Sequence, residues 1–126
     1  MSVQQYFRTR VRSFGYAFKG IATLFLTQAH AKIHLVATVL VIVAGFLLEV
    51  SLGEWALLTV AITMVWVAEA INTAIEFVVD LASPERHELA GKAKDVAAGA
   101  VLLASFGAVA IALMVLGPKV WHWVCS

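Results

Sequence analysis

The sequence has little of what a soluble domain is built from. It contains one cysteine, Cys125, which excludes an intrachain disulfide framework and a cysteine metal cluster. Charged residues make up 13% of 126 positions, where a soluble domain carries about a quarter. The formal net charge is +1, so the total says little about partners. Neither a Walker A pattern nor G-x-G-x-x-G occurs, so no soluble nucleotide motif argues for ATP. No internal repeat or low-complexity tract is evident. The N-terminus has no signal-peptide pattern, because its basic residues are interleaved with aromatics and no cleavage site follows. Residues 1–32 hold Arg8, Arg10, Arg12, Lys19 and Lys32 and no acid, whereas Glu49 and Glu54 stand in a stretch without a base.

What is present is apolar length. Hydrophobic residues reach 62%, and mean hydropathy is +0.91. Three long segments carry it: 33–50, 54–82 and 96–117. They read as three transmembrane helices of one all-α membrane domain covering 1–126. A soluble three-helix bundle needs polar outer faces, which the first and third segments lack. Residues 1–30 form a separate element. Val3, Phe7, Val11, Phe14, Phe18, Ile21 and Phe25 recur at helical spacing with the basic residues largely off that stripe. This reads as an amphipathic helix on the membrane surface, with Gly15 and Gly20 as points of bending. The basic block places the N-terminus in the cytoplasm, and three crossings place the C-terminus outside. Trp55, Trp121 and Trp123 then lie near the outer interface, and Trp66 is a mid-helix packing residue. Between the second and third spans, Ser83 and Pro84 read as an N-cap and first helical residue.

The second span is unusual. Glu69, Asn72, Thr73, Glu76 and Asp80 fall within an arc of roughly 100° on one helix face. An acid at bilayer centre costs about 2.5–3.5 kcal/mol, so a stripe of them points to a site for a cation, a proton or a charged ligand. Counted inward from Trp55, Glu69 reaches the cytoplasmic edge of the hydrocarbon, Glu76 the headgroup level, and Asp80 water. Glu69 is suited to act as general base on a lipid hydroxyl, and Glu76 to hold hydrated Mg²⁺. Lys92 and Lys94 across the loop are placed to meet phosphates. Together these are the parts of a phosphoryl-transfer site. Each also has a plainer reading. Glu69 pairs with a neighbouring helix, the lysines are topology charges, His87 is a loop histidine, and His30 and His34 are interfacial rather than ligands. On the acids alone, a non-enzymatic protein handling ions or protons stands as the alternative. No nucleic-acid partner is expected.

The block EAINTAIEFVVD at 69–80, HELAGKAKDVAAGAVLLA at 87–104 and SFGYAFKGI at 13–21 carry a family likeness. They resemble the small bacterial integral-membrane lipid kinases, the prokaryotic diacylglycerol kinase and undecaprenol kinase family. The resemblance runs from about residue 13 to 115. It implies a homotrimer of three-span subunits with an N-terminal surface helix and active sites at subunit boundaries. It also implies that ATP and Mg²⁺ are used to phosphorylate a membrane lipid alcohol. Glu69 is similar to the family's catalytic base and Glu76 to its metal-binding glutamate. Lys94 and Asp95 resemble the nucleotide-phosphate pair. Tyr16 and the run Glu85, Arg86, His87 match ATP-contacting positions, and Asn72 matches the supporting asparagine. The family's second metal-binding glutamate falls on Gln28 here, a neutral oxygen ligand that lowers the expected metal affinity. One family arginine falls on Thr9. AKIHL at 31–35 and KDVAAGAVLL at 94–103 are closer to the undecaprenol branch, so undecaprenol is the favoured acceptor and diacylglycerol the alternative.

Overall fold

A computed structural model of the chain describes residues 2–125, and among them every regular element is helical: α1 Val3–Thr27, α2 Ala29–Leu47, α3 Leu52–Ala82 and α4 Glu88–Cys125. By length and composition α2, α3 and α4 are each able to cross a membrane. Ser2 caps α1, its hydroxyl accepting from Gln5 N at 3.3 Å. α1 runs unbroken through Gly15 and Gly20 and buries Leu24 alone. The chain turns instead at Gln28, whose extended backbone (φ −102°, ψ 119°) ends α1 and begins α2.

α2 has 19 residues, about 28 Å of helix, close to the minimum for a span. It ends in a reversal that recovers carbonyls otherwise left without partners. Val50 N donates to Gly45 O at 3.1 Å, and Glu49 N to Phe46 O at 3.3 Å. This pairing requires a left-handed residue between them, usually glycine. Here Glu49 takes that place with φ 49°. Val50 enters the core beside Leu58 and Val115. Ser51 then starts α3 with a capping box: Glu54 N donates to Ser51 Oγ, and Ser51 N donates to Glu54 Oε2 at 2.6 Å. Lys119 of α4 reaches the same carboxylate oxygen at 3.2 Å, tying the ends of α3 and α4 together.

The turn at 48–51 makes α2 and α3 antiparallel, and close approach at its base depends on Gly45. A methyl group there would lie 2.6 Å from Trp55 Cη2 and 2.9 Å from Cζ2. The indole is also packed on Phe46, with ring centroids 4.9 Å apart. Gly45→Ala gains about 1 kcal/mol of helix propensity but overpacks the corner by about 1–3 kcal/mol. The expected net result is a lower Tm in detergent. An unchanged Tm would show that the indole swings aside at no cost.

α3 is 31 residues long, about 46 Å. It exceeds a hydrocarbon core of about 30 Å, and the excess carries its C-terminal acids beyond the apolar layer. The segment that follows corrects the sequence reading. Ser83 closes α3 rather than opening α4, its N–H donating to Val79 O at 2.8 Å. Pro84 disfavours helix at the residue before it. α4 begins at Glu88, where His87 Nδ1 accepts from Leu89 N at 3.1 Å and takes the capping role. α3 and α4 pack along Leu58, Ala61 and Val65 on one side and Ala97, Ala104 and Val115 on the other. Small residues at such a seam let the helix backbones come close.

Candidate active site

The acidic stripe of α3 is graded by burial. Glu69 is 2% exposed, Asn72 9% and Thr73 4%. Glu76 is half-buried and Asp80 exposed. Asp80, although exposed, still meets Lys94 of α4 across the 83–87 segment. A single chain buries both Glu69 and Asn72 without a neighbouring subunit.

His34 supplies much of that shielding. Its Nε2 lies 2.9 Å from Glu69 Oε1, so the reading of His34 as merely interfacial does not hold. The ring is itself held. Trp66 packs against it edge-on at 6.5 Å between centroids, and Trp66 Nε1 donates to Thr38 Oγ1 at 3.1 Å. Phe25 of α1 covers the same indole at 4.9 Å. Four side chains from three helices therefore fix one carboxylate. The α2–α3 hairpin was the available signal, although His34 stands 14 residues before the turn at 48–51 and Glu69 18 residues after it, about one helical turn out of step.

One turn further along, Asn72 Nδ2 donates to Glu76 Oε1 at 3.1 Å. Asn72 Oδ1 and Thr73 Oγ1 are buried without a partner in the chain. Magnesium prefers oxygen ligands in octahedral geometry and keeps several waters, often with one or two carboxylates and phosphate oxygens. Glu76 beside the unpartnered Asn72 oxygen fits that preference for an ion shared with phosphates. A protein cage is not formed: among the described residues no three His, Cys, Asp or Glu side chains group around a common point. Gln28 sits half-buried at the α1–α2 junction, and its side chain makes no capping hydrogen bond.

At the C-terminal end of the stripe, Lys94 of α4 contacts Asp80 Oδ1 through Nζ at 2.5 Å. The pair borders an open cleft of about 520 Å³ whose polar lining includes Ser83, Glu85, Arg86 and His87. The sequence placed Lys94 and the 85–87 run together, and the structure does the same. It missed Asp80 as the partner of Lys94. Lys92 is engaged elsewhere, by Glu88 one turn earlier at 2.6 Å. Asp95 is exposed and is not part of the cleft wall; one residue on from Lys94, it is turned about 100° around the helix. Tyr16 is exposed on α1 with Lys19 Nζ 5.8 Å from its ring centroid, and it too lies outside the cleft wall. Thr9 donates to Gln5 O at 2.8 Å along α1.

The arrangement offers a buried, oriented carboxylate at one end and a cation-bearing cleft at the other, joined by an amide-linked glutamate. Comparison with known proteins finds relatives over most of the chain. A family model described as prokaryotic diacylglycerol kinase matches residues 15–116. The chain is 38% identical over 108 residues to an undecaprenol kinase of Bacillus subtilis, covering 86% of this chain and 88% of that protein. It is 44% identical over 107 residues to a diacylglycerol kinase of Synechocystis, covering 84% of this chain and 61% of the longer relative. A diacylglycerol kinase of Escherichia coli is 36% identical over 99 residues, 79% of this chain and 81% of the relative.

Proposed function

The chain belongs to the prokaryotic diacylglycerol kinase family and is a lipid kinase, and from that premise we propose that it transfers the γ-phosphoryl group of ATP to undecaprenol in a bacterial membrane. The observation that carries the reading is the burial gradient along one helix face. It runs from a dry carboxylate at Glu69 to a wet cleft holding Lys94. A lipid hydroxyl comes from the apolar side and a nucleotide from water, and this stripe joins the two.

In the proposed reaction Glu69 takes the proton of the lipid hydroxyl as its oxygen bonds to the γ-phosphorus, and the bond to the ADP oxygen breaks. Lys94 meets the charge on the transferring group. Asp95 orients it, and Tyr16, Glu85, Arg86 and His87 hold the nucleotide. His87 presents its remaining ring edge, since Nδ1 is occupied by the α4 cap. Asn72 supports Glu76, and Glu76 with Gln28 would hold Mg²⁺. That ion, when bound, would neutralise phosphate charge. The N-terminus and the 83–87 segment are cytoplasmic and the C-terminus is outside. α1 lies on the membrane surface, its exposed Phe7, Phe14 and Phe18 in the lipid. The homotrimer is carried over from the family pattern and not from shielding of Glu69, which one chain already provides.

Undecaprenol is favoured over diacylglycerol by AKIHL at 31–35, which contains His34. The test is direct. Purified protein with ATP and Mg²⁺ is offered undecaprenol and diacylglycerol in turn, and phosphorylated lipid is measured. Faster transfer to undecaprenol is expected, and faster transfer to diacylglycerol would reverse the assignment. Gln28→Glu is expected to lower the Mg²⁺ concentration needed for half-maximal turnover. No transfer to either lipid, in either form, would overturn the proposed reaction.

A further inference from the structure

His34 is the one imidazole in contact with the stripe's buried acid, and the reaction as written gives it no task. The 2.9 Å between Nε2 and Glu69 Oε1 is within hydrogen-bond distance. With the carboxylate ionised, the proton of that hydrogen bond resides on Nε2. One carboxylate oxygen is then occupied, and the other is left to accept. We propose that His34 is a positioning residue for Glu69: its Nε2–H fixes Oε1 and so aims the second oxygen at the lipid hydroxyl. This rests on the reading of Glu69 as general base.

Three observations support positioning over simple charge neutralisation. The Glu69 side chain is 3% exposed, whereas that of His34 is 20% exposed and open on one side. A carboxylate buried this deeply, with one hydrogen-bonded oxygen, has little freedom to turn. The imidazole cannot drift either, because Trp66 lies edge-on against it and is itself fastened to Thr38 and covered by Phe25. His34 also lines a small apolar cleft between α2, α3 and α4, with Ala37, Ala61 and Ala108 on its walls. His34 therefore meets the apolar interior, the side from which a lipid hydroxyl would arrive. In the step itself the hydroxyl proton moves to the free Glu69 oxygen, and His34 keeps its own proton throughout. The imidazole supplies geometry and does not carry the transferred proton.

The substitutions separate geometry from bulk. The amide nitrogen of glutamine reaches about as far as imidazole Nε2, while that of asparagine matches Nδ1. Turnover is measured at saturating ATP and Mg²⁺ with undecaprenol and with diacylglycerol as acceptors. His34→Gln is expected to stay within about threefold of wild type, and His34→Asn and His34→Leu to lose about tenfold or more in kcat with KM for ATP unchanged. Glu69→Asp withdraws the carboxylate by one methylene and breaks the contact. In that background His34→Leu is expected to cost less than about twofold, because the two changes remove the same interaction. Wild-type turnover in His34→Leu would overturn the proposal. So would equal fold losses from His34→Leu in both backgrounds, which would mark a structural role independent of Glu69. Glu69→Gln, measured alongside, tests the underlying reading by itself. If it retains turnover, the base assignment falls, and with it any role acting through it. If it loses turnover while His34→Leu does not, only the His34 inference fails.

Discussion

Glu69→Gln is expected to reduce turnover by about 10²–10⁴-fold, the range removed with a general base, and to leave ATP affinity close to wild type. The amide copies the shape of the carboxylate, and its oxygen still accepts from His34 Nε2, so the packing with Trp66 has no reason to change. The amide cannot take a proton from an alcohol at neutral pH. ATP affinity is expected to be spared because the cleft proposed for the nucleotide begins at Val79, ten residues and about 15 Å along α3. Glu76→Gln provides the contrast. Its carboxylate is half-buried beside Asn72, and its loss is expected to raise the Mg²⁺ requirement, so that added Mg²⁺ restores part of the activity. Added Mg²⁺ should not rescue Glu69→Gln. Matching responses of the two variants in a Mg²⁺ titration would show that base and metal ligand are not separate functions of the stripe.

The difference between the two glutamates follows from where α3 ends. A span sized to the hydrocarbon would finish about ten residues earlier, and every acid on its face would be either buried or in water. The 31 residues of α3 carry one helix face through both regimes. Glu69 lies where His34, Trp66 and α4 exclude water; Asp80 lies where Lys94 and the 83–87 segment are wet. One rigid helix therefore fixes the separation between the buried Glu69 carboxylate and the cleft beside Lys94, and positions on regular elements are held more tightly than positions on loops.

Much of this was legible in the residues. The three apolar runs gave the spans, because segments of such length have no other stable solution. The acidic stripe followed from helical periodicity alone, and burial within the chain falls in the same order, Glu69, Glu76, Asp80, in which counting from Trp55 ranked them. Three features escaped for identifiable reasons. Ser83–Pro84 suits a helix start as well as a stop. The outcome was decided by Val79 O and by the His87 cap, neither of which shows in local sequence. The break at Gln28 has neither glycine nor proline to announce it. The His34–Glu69 and Asp80–Lys94 pairs are tertiary. Each joins two antiparallel helices across a turn, so it becomes visible only when the register of that turn is known. The same register explains why Glu69 needs no second subunit for its burial.

Lys94→Ala is the second large effect, an expected loss of about 10²–10³-fold in kcat with little change in stability. The two consequences separate by magnitude. The pair with Asp80 is solvent-accessible, with side chains 38% and 64% exposed, and ion pairs of that kind contribute about 0–1 kcal/mol to folding. Tm should move by no more than a few degrees. A donor aimed at charge that develops in the transition state contributes about 2.7–4 kcal/mol. Asp80 then acts on reactivity through Lys94, by holding the ammonium over the cleft before nucleotide arrives. Asp80→Asn should weaken that hold and lower kcat by less than Lys94→Ala does. Lys94→Arg keeps the charge but replaces a compact ammonium with a planar fork, and partial activity is expected from it. Kinetics at saturating ATP and Mg²⁺, set beside thermal unfolding of the same preparations, distinguish the alternatives. A Lys94→Ala variant that loses stability and activity together would assign the pair to the fold; one that keeps its Tm and loses turnover assigns Lys94 to phosphoryl transfer.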